Sequence, residues 1–228
     1  MTQAHFDEIA ERYDETIPPH VAEHYLEKRA AFIVEHRPDG RVLDVGCGTG
    51  LLALRLSELG YDVVGVDPSE GMLEVLRRRA PGVEAVRASG ANLPFDDAVF
   101  DMTLSVATMH HIAEPESVRS TLREMVRVTR PGGHVLVWDH NPANPYWPLL
   151  MRRVPQDSGD ERLIALEELV SGLRSGGAVP VRVCRLGLVP DFTPRSLLRP
   201  ARAVERAVER TPGLRRLCAH NVVLARRV

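Results

Sequence analysis

The chain has 228 residues, of which 44% are hydrophobic and 26% charged, with a formal net charge of −2. That balance fits one globular domain with a full core and gives no basic footprint for duplex DNA or RNA. Cys47, Cys184 and Cys218 are too scattered for a disulfide framework or a zinc site, Met1–Glu8 is polar, and no 18-residue apolar run exists; the expected setting is cytoplasmic, without an integral membrane segment.

The first predicted elements are helical. Phe6, Ile9, Ala10 and Tyr13 recur at helical spacing, Pro18-Pro19 interrupts, and a second helix is expected from about His20 to His36. Lys28 and Arg29 on it either present charge to a pocket or are solvated. Val42–Val45 then reads as a strand running into glycines at 46, 48 and 50, where the backbone can turn sharply and a ligand can approach. The G-x-G-x-G spacing differs from the G-x-G-x-x-G of dinucleotide folds. Asp44, two residues before the first glycine, suits a ligand with a positive amino group, such as S-adenosylmethionine (SAM). Leu51–Leu59 is expected to be a helix stopped by Gly60. Tyr61–Val66 reads as a second strand ending in Asp67, 21 residues after Gly46, the distance at which a βαβ unit brings an acid to ribose hydroxyls. Asp67 could otherwise cap the next helix, a task Ser69 can also perform. Met72 suits either an adenine face or the core.

The segment Val42-Leu43-Asp44-Val45-Gly46-Cys47-Gly48-Thr49-Gly50 resembles the first motif of the class I SAM-dependent methyltransferases. Three later segments continue the resemblance. Ala88–Asp97 contains Leu93-Pro94-Phe95, although Ser89 stands where the family has an Asp for the adenine amine, leaving Ser89, Asn92 or a backbone carbonyl for that contact. Val99–Val106 is the expected central strand, with Thr108–Ile112 at its carboxyl end. Arg127-x-x-Arg130-Pro131-Gly132-Gly133 follows a helix and precedes a fifth strand, His134–Trp138.

The matches span residues 41–139, and the resemblance implies an α/β, Rossmann-like fold. Its seven-stranded sheet should be mostly parallel with an antiparallel last strand, with helices on both faces and an N-terminal helical cap. One domain is expected over 1–228: cap 1–36, SAM-binding core 41–139, and substrate loop, lid helix and C-terminal strands in 140–228. It implies SAM as cofactor and S-adenosylhomocysteine as product. The cofactor contacts would be Asp44, Gly46, Cys47, Gly48, Gly50, Asp67, Pro68, Met72, Ser89, Gly90, Ala91, Asn92, Ser105, Val106 and His111. Tyr13 would either close over the cofactor or pack the cap.

A hydroxyl acceptor needs a base near neutral pKa. His140 is the first choice, with Asp139 orienting it, and His110 is the next; His140 could instead simply pack its loop. An Asp139/His140 pair holding Mg²⁺ is disfavoured by the single acid, and no metal is expected. The loop Asp139–Pro148 is too rich in Pro, Asn and aromatics for regular structure. Its Asn144-Pro145-Tyr146-Trp147 superficially resembles an N-P-P-Y box, but that box follows the fourth strand of nucleic-acid methyltransferases, so a nucleic-acid substrate is rejected. In the insert Leu188–Pro212, Leu197, Leu198, Ala201, Val204 and Val208 share an amphipathic helix with Arg195, Arg199, Arg202, Arg206 and Arg210. It reads as a lid, a basic helix on a membrane surface, or an outer helix with a solvated face. Asn221–Ala225 suits the antiparallel last strand, paired with Val181–Arg185. The expected function is SAM-dependent methylation of a small molecule at a hydroxyl oxygen, on a natural product, sugar or prenylated metabolite. N- or C-methylation and a SAM-binding cyclase or regulator stay open, as does homo-oligomerisation. An NAD(P) oxidoreductase is disfavoured by the glycine spacing and by Lys28 being the only lysine.

Overall fold

The computed structural model describes residues 3–112, 114–147 and 161–228, so Pro148 of the expected substrate loop lies outside the described residues. Seven strands, β1 (Arg41–Val45), β2 (Asp62–Asp67), β3 (Glu84–Arg87), β4 (Phe100–Val106), β5 (Thr129–His140), β6 (Ala178–Leu186) and β7 (His220–Arg227), form one sheet. Their order is β3-β2-β1-β4-β5-β7-β6. Strands β1 to β5 pair in parallel, and β7 runs antiparallel between β5 and β6. The seven-stranded, mostly parallel sheet with its antiparallel last strand is the expected one.

The helices are α1 (Gln3–Ile9), α2 (Pro19–His36), α3 (Leu51–Glu58), α4 (Glu70–Arg79), α5 (Pro115–Val128), α6 (Leu166–Ser175) and α7 (Leu198–Arg210). Proline at the start of α2 costs no hydrogen bond there, which explains why Pro18-Pro19 separates two helical stretches. Ser69 caps α4 by accepting from the Met72 N–H, so Asp67 is free of that role. Among the described residues no helix is long and apolar enough to cross a membrane.

Side chains alternate across the sheet, and both faces of β1, β4, β5 and β7 are covered, whereas one face of the edge strand β6 is open at Val179, Val181 and Val183. Leu43, Val135, Val137 and Val223 pack against Leu122 and Val126 of α5 and Leu169 and Leu173 of α6. Val42, Leu136, Trp138 and Val222 on the other face pack against Ile33 of α2 and Leu52 and Leu56 of α3. The direction in which successive strands are added to the sheet reverses between β1 and β4, and in open α/β sheets a ligand crevice opens at that switch point, at the carboxyl ends of the strands. Because β7 is antiparallel, its first residue, His220, also lies at this edge, opposite His140.

Helix α7 is amphipathic as expected, but it docks through polar groups. Its one fully buried residue is Glu205, which accepts from Lys28 Nζ at 2.6 Å and from the backbone N–H groups of Leu188 and Val189, and bonds His24 Nε2 at 2.9 Å. These donors outweigh the upward push of burial and hold the carboxyl down at about 2. Leu198 and Ala201 touch the Val21–Tyr25–Val189 cluster, whereas Val204 and Leu197 are exposed.

Candidate functional site

The glycine loop after β1 has the conformation its spacing suggests. Gly46 has φ +77°, and a Cβ there would collide with Thr108. Gly48 has φ +52° with open space where a Cβ would point, a surface a ligand can approach closely. Its N–H donates to Asp67 Oδ2 at 3.0 Å, while Asp67 Oδ1 accepts from Ser69 N at 2.9 Å. Asp67 thus ties the two strand ends together at the crevice.

Two cavities meet at this loop. The smaller, about 220 Å³, is lined by Asp67, Pro68, Met72, Ser89, Gly90 and Ala91, and the larger, about 540 Å³, by Asp44, Cys47, Val106, His110 and His140. Gly46, Gly48, Tyr13, His111 and Ala107 border both. Ala107 is a non-glycine residue at φ +54°, an unfavourable conformation of a kind found at binding sites. Gly50, Asn92 and Ser105 border neither cavity. Gly50 packs toward Leu76, Asn92 belongs to the turn after Ser89, and Ser105 is fully buried within β4. Of the two side chains expected as partners for an adenine amine, only Ser89 faces the smaller cavity, where the backbone of Gly90 and Ala91 also lies. Met72 is both buried core and cavity wall.

The N-terminal cap reaches over the crevice. Asp7 accepts from Ser69 Oγ at 2.6 Å and Gly71 N at 2.9 Å, and the bond from Ser69 chiefly holds its pKa low. Asp14 accepts from Thr49 Oγ1 of the glycine loop at 2.8 Å and pairs with Arg79. Phe6 meets the His111 ring edge-on at 5.2 Å. Tyr13 is a wall of both cavities.

Charge in the larger cavity is sparse. Asp44 is 3% exposed, and burial, reinforced by Asp67, pushes its pKa up to about 7. Arg29 of α2 also faces this cavity. Its Nε has no hydrogen-bond partner, and burial lowers its pKa. Lys28 instead bridges Glu205 and Glu209. Asp191 is a further wall whose carboxyl burial pushes up to about 6.

Beyond the glycine loop the walls are imidazole and aromatic rings. Met109–His111 forms a single 3₁₀ turn after β4, and the fully buried Asp139 closes it. Its Oδ2 accepts from Thr108 N and Met109 N, and its Oδ1 accepts from His140 N and bonds His110 Nδ1 at 2.8 Å. Burial pushes this carboxyl up, but the His110 interaction and the backbone donors bring it below its ordinary value. The expectation that Asp139 orients the His140 side chain is not met; the carboxylate holds His110. His140 is sandwiched instead, its ring stacked on His110 at 4.0 Å and on Trp147 at 3.6 Å. Burial drives the pKa of His140 and His111 well below the imidazole range and that of His220 down to about 3. All three rings are therefore neutral near pH 7.

Ligand atoms of His110, Asp139 and His140 lie within 4.8 Å of one another, but the two imidazoles are stacked with 15° between their planes. An ion must lie close to the plane of each ring that binds it, and nearly parallel rings 4.0 Å apart share no such position. The cluster does not fit a metal in this arrangement. Cys47 is a wall of the larger cavity, and burial pushes its thiol pKa well up, which keeps it in the protonated form. Arg29, Ala107, Asp191, Phe192 and His220 are the walls that motif reading missed or left undecided. For His220 the signal existed, because an antiparallel strand beginning at residue 220 must start at the ligand edge.

Residues 43–137 match a family model described as a methyltransferase domain. Demethylmenaquinone methyltransferases from Paenarthrobacter aurescens and Renibacterium salmoninarum are 34% and 35% identical over 160 residues, which cover 66% and 67% of this chain. The chain spans 61% and 66% of the length of those two relatives. The solved structure of the CcbJ methyltransferase from Streptomyces caelestis superimposes with a TM-score of 0.71 at 19% identity, covering 98% of each chain, a likeness of fold. These matches identify residues 43–137 as a methyltransferase domain, and the sheet order and glycine loop give the chain the fold of the class I, Rossmann-like SAM-dependent methyltransferases.

Proposed function

We propose that the protein transfers a methyl group from SAM to a small-molecule acceptor, at a hydroxyl oxygen. The observation that carries this reading is a complementary pair of charges in one cavity beside the glycine loop. Asp44 is a buried carboxylate whose pKa rises to about 7, and Arg29 is a cation with no ion pair or hydrogen bond among the described residues. An amino acid moiety brings an ammonium for the first and a carboxylate for the second. Burying either protein charge alone is costly, so a zwitterion that meets both offsets their desolvation. The adjoining smaller cavity suits an adenosine, with Asp67 at the ribose, Met72 against the base and Ser89 beside the base edge.

When bound, SAM supplies an electrophilic methyl carbon on a sulfonium. The remaining work falls to the chain. His110, whose Nδ1 is held by Asp139, has the arrangement of an oriented general base that takes a hydroxyl proton. Asp139 fixes the ring and stabilises the imidazolium once formed. His140, Trp147 and Phe192 offer flat apolar walls for the acceptor and exclude water, while α1, the following turn and Tyr13 hold the two reactants in line, which alone can supply several kcal/mol.

A second reading is favoured by the similarity to demethylmenaquinone methyltransferases: methylation at a ring carbon of a quinol. The same base serves it, because deprotonating a ring hydroxyl pushes electron density onto the neighbouring carbon.

The test is incubation with methyl-labelled SAM and small-molecule, protein and nucleic-acid fractions, with SAM affinity measured calorimetrically alongside. Label in the small-molecule fraction supports the reading, and the site of label on the product separates oxygen from carbon. Tight SAM binding without label in any fraction points to a non-transferase role such as a cyclase. No SAM binding overturns the proposal.

A further inference from the structure

The outer face of α7 is built unlike a solvated helix. Its inward side is narrow and held by Glu205, which leaves two stripes outside. Arg199, Arg202, Arg206 and Arg210 form one, and Pro200, Ala203, Val204 and Ala207 form the other, at helical spacing. All eight are exposed. Val204 is 56% exposed, Leu197 at the helix start 55%, and Phe192 in the preceding loop 69%.

Seven arginines lie between residues 195 and 216, and none of their side chains has a hydrogen bond or ion pair among the described residues. The two acids of the same stretch, Glu205 and Glu209, are consumed by Lys28 and by backbone donors. The positive field is thus local, on a chain whose net charge is −2. Leu214 and Leu217, in the 3₁₀ turn next to α7, add exposed apolar groups beside Arg215 and Arg216.

We infer that α7 and its flanking turns form an interfacial surface that docks on an anionic lipid membrane. An arginine stripe running alongside an apolar stripe, both exposed, matches what lies flat at a headgroup boundary. There the cations meet lipid phosphates and the apolar groups enter the acyl edge. Duplex nucleic acid would use the arginines but give no reason for the apolar stripe. The location adds to the case, because the loop Asp191–Phe192 leading into this surface is also a wall of the larger cavity. A molecule held in the leaflet would enter there, a step that rests on the acceptor reading of that cavity. The docking itself does not depend on it.

The experiment uses the intact chain and needs no methyl transfer. Sedimentation is measured with vesicles of phosphatidylcholine alone and of a phosphatidylcholine–phosphatidylglycerol mixture, at low and high salt. Binding confined to the anionic vesicles and weakened by salt is expected. Arg202→Gln together with Arg206→Gln should lower it about 25-fold, roughly five-fold for each charge. Both residues are exposed, so folding should be unaffected, which circular dichroism checks. In a separate variant, Val204→Trp emission should shift to the blue on adding anionic vesicles. The inference fails if neither vesicle binds, if the double variant binds as the parent does, or if duplex DNA binds as tightly as the anionic vesicles.

Discussion

Asp139 and His140 both reach His110, the acid by a hydrogen bond and the imidazole by stacking, and this decides their roles. Adjacent in sequence, they resemble a base with its orienting acid, yet the carboxylate turns toward the 108–110 turn and holds His110, while His140 lies between two rings. Both histidines and the acid were legible as candidates. Their pairing was not, because it depends on a turn that follows a different strand. The two assignments separate by kinetics. His110→Ala should lower kcat by about two to four orders of magnitude. Asp139→Asn should cost nearly as much and also loosen the Met109–His111 turn. His140→Ala should act mainly on acceptor KM, since it removes a wall. Loss of kcat in His140→Ala with normal turnover in His110→Ala would reverse the assignment.

Asp44 gives a second residue-scale prediction, with a sign that follows from its environment. Near pH 7 the free protein is divided between protonated and ionised Asp44, and a bound cation favours the ionised form. SAM affinity should therefore rise with pH up to about 7, level off above it, and be accompanied by proton release. Calorimetry in buffers of different ionisation enthalpy reads the proton directly. Asp44→Asn should bind SAM more weakly and lose the pH dependence in this range.

At the scale of elements, the periodicity of residues 197–208 marked an amphipathic helix but could not say which stripe faces inward. What fixes α7 is Glu205, whose partners His24 and Lys28 lie on a helix some 180 residues earlier, a relation invisible to any local pattern. By contrast, β1, the glycine loop and the turn into α4 were readable because each rests on local chemistry: alternating apolar residues, glycines at positive φ, and a serine cap. Glu205→Ala should leave the N–H groups of Leu188 and Val189 without their partner and Lys28 with one acid fewer. The expected loss is about 3 kcal/mol, a fall in Tm of roughly 6–12 °C for a chain of this size. Glu205→Gln can still accept from the two N–H groups and should recover part of it. A thermal melt of both variants checks the order.

Over the whole molecule, the site concentrates two sets of groups whose pKa values are displaced in opposite senses, and their effects on stability oppose each other. His220 is neutral in the fold down to about pH 3, whereas an unfolded imidazole binds a proton below about 6.5. Its contribution is complete above 6.5 and is lost as pH falls from there toward 3. Asp44 runs the other way. It is protonated in the fold below about 7 but ionised in the unfolded chain above 3.8, so its contribution is complete at low pH and is lost as pH rises through 7. Asp191, raised to about 6, acts like Asp44, and His111 and His140 act like His220. The parent protein should consequently lose stability between pH 6 and 5 more gently than three neutral histidines alone would dictate. His220 and Asp44 each contribute about 1.4 kcal/mol per pH unit in that window, with opposite signs. Urea unfolding at several pH values should give a slope that flattens by about this amount in His220→Gln and steepens by about this amount in Asp44→Asn. If both variants change the slope in the same direction, the opposition between the buried acids and the buried imidazoles is not what sets the response to acid.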